Sequence, residues 1–142
     1  MFGNAQMYAA LNVPAITNLL DVKSSGDTVK ALFNALVVPS TYSFGGPTAI
    51  KMTAMKTINF YRVAPISTGS EVQRIIFQVN CRAPLLLSQA ETIGYAVYTQ
   101  LHRRTYSGYF IRCKVLAPIL PADNTDTYNQ PVECEMILKP EV

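Results

Sequence analysis

The sequence predicts an α+β fold: an antiparallel sheet of about four to five strands, with an N-terminal helix and a helix over Ser88–Arg104 packed on one face. Three observations carry this. Apolar and polar residues alternate over Val72–Arg82, Tyr109–Leu116 and Val132–Leu138, the pattern of strands with one wet side. Apolar residues recur at helical spacing after Ser88. Short connections join most of these segments, which antiparallel neighbours allow and parallel ones do not.

Residues Asn4 to Leu20 read as helical, in one or two pieces. Pro14 breaks a continuous ladder but fits the first turn of a second piece after Asn12. Asp21 to Asp27 is a polar turn. Val29 to Val38 fits two patterns: Val29, Ala31, Phe33, Ala35 and Val37 alternate as in a strand, whereas Val29, Leu32, Phe33 and Leu36 suit a helix. A strand is the preferred reading, ended by Pro39. Ser40 to Lys56, with Gly45-Gly46-Pro47, is a loop holding room for a short strand near Ile50.

Ile58 to Ala64 is rich in Ile, Phe, Tyr and Val and reads as a strand, with Pro65 to Ser70 turning the chain. In the strand that follows, Ile75, Phe77, Val79 and Cys81 face one way, and Arg74, Ile76, Gln78, Asn80 and Arg82 the other. Ser88 with Glu91 three residues on is a capping-box pattern. Ala90, Ile93, Val97 and Leu101 then line one helical face, with Gly94 and Ala96 small enough for close packing. Arg103 and Arg104 fall in the expected last turn, where the helix dipole favours cations. In the next strand Tyr109, Ile111, Cys113 and Val115 point inward, Arg112 and Lys114 outward. Ala117 to Gln130 is a long polar loop, a kind more often functional than idle. Val132, Cys134, Met136 and Leu138 form the last inward row, with Glu133 and Glu135 outward.

A length of 142 residues, without a linker-like break or internal repeat, indicates one domain over residues 1–142. Asp, Glu, Lys and Arg make up only 15% of the chain and apolar residues 49%, giving a mean hydropathy of +0.17. Typical domains carry about 25% charged residues. A small domain so poor in charge exposes much neutral or apolar surface, which favours a subunit covered by neighbours over a monomer. No apolar run approaches the about 20 residues that span a bilayer, and the N-terminus lacks the basic and apolar regions of a signal peptide, so no membrane partner is expected. A net charge of +3 does not of itself require nucleic acid.

The search for chemistry returns little. Cys81, Cys113 and Cys134 are odd in number, far apart and set within strands, which points to buried free thiols and away from disulfides or metal. His102 is the only histidine and has no marked nucleophile or carboxylate partner. Asp123 and Asp126 lack calcium-loop spacing, and Gly45-Gly46 lacks the lysine of a phosphate loop. No catalytic residue, metal or cofactor is assigned. Arg103, Arg104, Tyr106, Tyr109, Arg112 and Lys114 interleave cations with rings, a composition suited to single-stranded nucleic acid. The competing view puts Tyr109 in the core and the cations on solvated surfaces.

One further signal is the order and texture of the segments. An N-terminal helical region leads to Val37-Val38-Pro39, then Ile58-Asn59-Phe60-Tyr61-Arg62-Val63-Ala64-Pro65 and Phe77-Gln78-Val79-Asn80-Cys81-Arg82-Ala83. The helix over Ala90–Leu101, a strand, and Tyr128-Asn129-Gln130-Pro131-Val132-Glu133 complete the series. From about Val29 onward this resembles the tail terminator (tail completion, minor tail) proteins of tailed bacteriophages. The resemblance implies a virion structural protein and no enzyme. It would form a ring with copies of itself, commonly a hexamer, that caps the tail tube at the head-proximal end, stops its polymerisation and joins the head–tail connector or stopper protein. Phage DNA would pass through the lumen without specific binding, and assembly would take place in the host cytoplasm. A neighbouring connector component (stopper or head completion) or a tail-tube-like subunit is the alternative, with a single-stranded nucleic-acid module behind it.

A closing ring needs a head-to-tail interface. Candidate contacts to subunits or tube are the loop tips Ser67, Thr68, Gly69, Asp123, Asn124 and Thr125. The outward strand residues Arg74, Gln78, Arg82, Arg112, Lys114, Glu133 and Glu135 join them.

Overall fold

The computed structural model describes residues 3–21, 31–36, 41–42, 50–51, 55–67, 73–106, 108–121 and 127–138. The expected turns over 22–27 and 68–70, Gly45-Gly46-Pro47, Val37-Val38-Pro39 and the loop tip 122–126 lie outside them.

Two short helices open the chain, α1 (Asn4–Leu11) and α2 (Pro14–Thr17). Gln6 reaches back so that its Oε1 accepts the Gly3 N–H at 2.9 Å, satisfying one of the free donors at the start of α1. Pro14 sits at the first position of α2, where a missing N–H costs nothing. Met7, Ala10, Leu11 and Ile16 are buried.

Six strands form one sheet in the order β1-β4-β5-β8-β7-β6. They are β1 (Leu32–Asn34), β4 (Thr57–Ser67), β5 (Gln73–Ala83), β6 (Thr105–Tyr106), β7 (Tyr109–Val115) and β8 (Tyr128–Leu138). A separate ribbon pairs β2 (Thr41–Tyr42) with β3 (Ile50–Lys51), so the loop expected there carries two short strands. The sheet is antiparallel except for β1, which runs parallel to β4 with Leu32 opposite Ile58. The stretch from residue 35 to 56 is long enough for the crossover that parallel pairing needs. Among the described residues there Ala31 and Leu32 are buried, while Phe33, which the alternating pattern groups with Ala31, is only half-buried.

Two boundaries differ from expectation. β4 continues through Pro65 to Ser67, because the register shifts between Arg62 and Ala64 and again between Ala64 and Ser67. Such irregularities leave ladder positions unpaired, and proline is tolerated at them. β8 begins at Tyr128, so the long loop is shorter than its composition suggested, and Ile119 and Asn129 exchange backbone hydrogen bonds at 2.7 and 2.9 Å. Pro131 stands inside this central strand. The Leu116 N–H donates to the Pro131 carbonyl. A residue's N–H and C=O point to the same side of a strand, so the missing donor of Pro131 faces the end of β7, where the ladder stops.

The long helix is α3 (Leu87–Leu101). It starts at Leu87, one residue before Ser88, with Leu86 as an N-cap that makes no side-chain hydrogen bond, so the Ser88–Glu91 box does not form. Thr92 Oγ1 instead donates to the Ser88 carbonyl at 2.8 Å. The helix ends with His102 as its cap, and Arg103 adopts a positive φ of 62°. Arg103 and Arg104 therefore lie beyond the last turn, and the chain folds directly into β6. That two-residue strand pairs with the start of β7 and brings the sheet to six strands.

The helices cover one face. Ile93, Val97 and Leu101 of α3 meet Ile75, Phe77, Val79 and Cys81 of β5, Ile111 and Cys113 of β7, and Val132, Cys134 and Met136 of β8 in one buried cluster with α1, and Ala90 and Gly94 of α3 are also buried. Phe60 links the halves: its ring lies 6.4 Å from both Tyr8 and Phe77.

Candidate functional site

The candidate strand residues fall on the sheet face opposite the helices, and cross-strand register decides which of them meet. Ile76, Glu135 and Arg112 form one row across β5, β8 and β7; Gln78, Glu133 and Lys114 form the next. Arg74, one step along β5, bends its guanidinium to the Glu135 carboxylate, and Arg112 Nη2 reaches the other oxygen at 2.9 Å. Glu135 is thus held between two exposed arginines. Partial burial pushes its pKa up, but the hydrogen bonds from Arg74 and Arg112 and their charges outweigh that and hold it below the ordinary carboxylate value. The same contact raises Arg74.

The other half of this face is not wet. Asn59 is 0% exposed, Asn80 3% and Asn129 5%, although all lie on outward rows. Asn59 Nδ2 donates to the carbonyls of Ala35 and Leu36, each at 3.2 Å, and its Oδ1 accepts from Arg82 Nε at 2.9 Å. Asn80 Oδ1 accepts from Gln78 Nε2 at 3.0 Å and from Asn129 Nδ2 at 3.2 Å. Arg82, half-buried, has its pKa lowered by desolvation. Arg82 and Gln78 therefore serve an internal carboxamide network, whereas Arg74, Arg112 and Lys114 stay exposed.

Ser67 ends β4, paired with Arg74, and is not on a loop tip. Thr68, Gly69, Asp123, Asn124 and Thr125 lie outside the described residues.

The interleaved cations and rings separate. Tyr109 is 3% exposed, so its ring offers no face on which a base could stack, and Tyr106 is half-buried and packed against the core. His102 also has a structural task. Its ring stacks on Tyr98 at 4.4 Å, and Nδ1 accepts the Cys113 N–H at 3.0 Å on the edge of β7.

Sequence reasoning missed one feature. Leu85 and Leu86 are 74% and 57% exposed, Ile119 and Leu120 53% and 62%. Ala83 opposite Tyr128, and Ile119 opposite Asn129, bring the two segments to the same end of β8 from its two sides. The available signal was the pair of apolar runs beside prolines, Pro84-Leu85-Leu86 and Pro118-Ile119-Leu120-Pro121, outside any periodic element. Contiguous exposed apolar patches, unlike singly scattered apolar residues, commonly mark contact surfaces.

No family model and no curated protein matches this chain. Among solved structures, a chain from the "Virion of native gene transfer agent (GTA) particle" has the same fold, with a TM-score of 0.58 and 13% identity over 96% of this chain and 93% of that one.

Proposed function

We propose that this chain is a structural subunit of a phage-like virion, and within it the tail terminator. One domain per subunit closes into a ring that caps the tail tube, ends its polymerisation and joins the head connector, with DNA passing through the lumen. The observation that carries the reading is the end-to-end fold likeness to a chain of a gene transfer agent virion. It agrees in class with what the order of segments implies, and scarce charge together with an exposed apolar end suits a molecule that works by contact. Arg74, Arg112, Lys114, Glu133 and Glu135 are the proposed contacts on the sheet, and Leu85, Leu86, Ile119 and Leu120 those at the apolar end.

The same likeness accommodates a stopper, a head-completion protein or a tube-like subunit. Solution mass separates them. A terminator forms a closed ring, a fixed multiple of 15.7 kDa, and limits the length of tubes grown from tube protein; a tube subunit polymerises without limit. Reversing charge at Arg112 and Lys114 (Arg112→Glu with Lys114→Glu) is expected to impair ring closure or tail joining. A monomer at high concentration, absent from assembled particles, overturns the proposal.

A further inference from the structure

β7 and β8 place Cys113 directly opposite Cys134, with the sulfurs 3.3 Å apart. The edge of β7 away from β8 shows how the pair is oriented. Cys113 gives its N–H to His102, and Ile111 exchanges hydrogen bonds with Arg103 and Arg104, so both turn their backbone polar groups away from β8. Residues that do this across an antiparallel ladder form the non-hydrogen-bonded pairs, with Cα atoms about 4.5 Å apart and side chains at their closest. A disulfide accepts Cα separations of roughly 4.4–6.8 Å. From 3.3 Å, the sulfurs need to approach by roughly 1.2 Å to bond. Cys81 differs: it faces Gln130 across the ladder, with no sulfur in hydrogen-bond reach among the described residues.

We propose that Cys113 and Cys134 are a latent cross-strand disulfide, a dithiol in reducing surroundings that a small peroxide oxidises in place. Cys113 is the entry point. It is 6% exposed against 0% for Cys134, and it lines an open pocket of about 290 Å³ with His102, Arg112, Lys114, Glu133 and Glu135. The Cys113 thiolate, its proton lost to solvent, attacks one peroxide oxygen. The O–O bond breaks, hydroxide leaves, and Cys113 becomes a sulfenic acid. The Cys134 sulfur then attacks the Cys113 sulfur; the S–S bond forms as the S–O bond breaks, and water departs with the Cys134 proton. Two thiols and one peroxide give one disulfide and two waters. The hydrogen bond with Cys113 and burial push the Cys134 pKa well up, which keeps it a thiol until its partner is oxidised. The bond would close the loop over residues 114–133 and staple two central strands. The chemistry stands apart from the virion reading; under that reading it would follow release of particles from the cell.

The test is peptide mapping by mass spectrometry. Reduced full-length protein is treated with hydrogen peroxide, alkylated under denaturing conditions and digested. The expected result is a Cys113–Cys134 linked peptide, the mass of two hydrogens lost, Cys81 alone alkylated, and a Tm rise of roughly 10 °C that dithiothreitol reverses. Three alkylated cysteines after treatment, a link through Cys81, or sulfinic acid at Cys113 without a link each overturn it. Cys134→Ser adds a second readout: sulfenic acid must accumulate at Cys113 and be trapped by dimedone. Its absence there refutes the order of steps.

Discussion

Replacing Gly94 with alanine tests how tightly α3 sits on the sheet. A Cβ at Gly94 would meet Gln130 Cγ at 2.6 Å, Gln130 Cβ at 3.4 Å and Val132 Cγ2 at 3.6 Å. The first distance is shorter than real contacts allow, so something must move. Gln130 cannot swing aside freely. It is buried, and its Nε2 donates to the Leu116 carbonyl at 2.7 Å and the Pro131 carbonyl at 3.1 Å. Alanine gains about 1 kcal/mol over glycine in a helix interior. Against that stand about 1–3 kcal/mol for forcing an extra methyl into a filled site, and about 1–3 kcal/mol if Gln130 gives up its hydrogen bonds. The net is a destabilisation of about 2 kcal/mol. With a urea m-value of about 2 kcal/mol/M, the unfolding midpoint falls by about 1 M. Adding Gln130→Ala removes the atom that is struck, so the double variant should lose less than the sum of the singles by about 1 kcal/mol. A Gly94→Ala midpoint at or above the parent's would refute the close approach.

Two further perturbations address the outer face. Asn59→Ala leaves the Ala35 and Leu36 carbonyls and the half-buried Arg82 guanidinium without their partner, and should cost about 2–3 kcal/mol by urea unfolding; a loss under about 0.5 kcal/mol would mean that the network does not hold β1 to β4. Glu135→Gln tests the arginine clamp. Because the folded pKa of Glu135 lies below its ordinary 4.5, its contribution is present above that value and fades as pH falls through the folded one. The variant should therefore be less stable than the parent at pH 7, with a gap that narrows in acid, and a gap unchanged between about pH 7 and pH 3 would sever Glu135 ionisation from folding.

Much of this fold is legible in the residues because burial and alternation coincide. Ile75, Phe77, Val79 and Cys81 are all 0% exposed, as their spacing requires, and Ala90, Ile93, Val97 and Leu101 line the buried side of α3. Reading failed where tertiary contact overrides local chemistry. Ser88 and Glu91 form a capping box in sequence, yet the helix starts earlier because Leu87 already continues its turn. Asn80 reads as an outward strand residue and Asn129 as part of the polar loop, but Asn59, Asn80 and Asn129 each find a partner across a strand or on the chain after β1. No local pattern announces such a network, since carboxamides are equally at home in water. The parallel β1 was equally hidden: its direction depends on the crossover over residues 35–56, and both a strand and a helix suited its residues.

The division of the outer face bears on what any partner would recognise. Charge is scarce in this chain, yet Arg74, Arg112, Lys114, Glu133 and Glu135 gather on neighbouring rows. Within that group Glu135 is already saturated by two arginines, and Lys114 stands opposite Glu133, so the patch carries a net charge of only about +1 at neutral pH. A field so nearly balanced steers and orients more than it binds. In the proposed ring, the area removed from water would therefore come mainly from exposed apolar side chains, those at Leu85, Leu86, Ile119 and Leu120 among them, with the charged rows as a polar rim. It follows that charge reversal at Arg112 and Lys114 should slow assembly and change its salt dependence while leaving the lifetime of completed rings largely intact. Rings that form at the normal rate but fall apart quickly would place the charged rows at the centre of the contact instead.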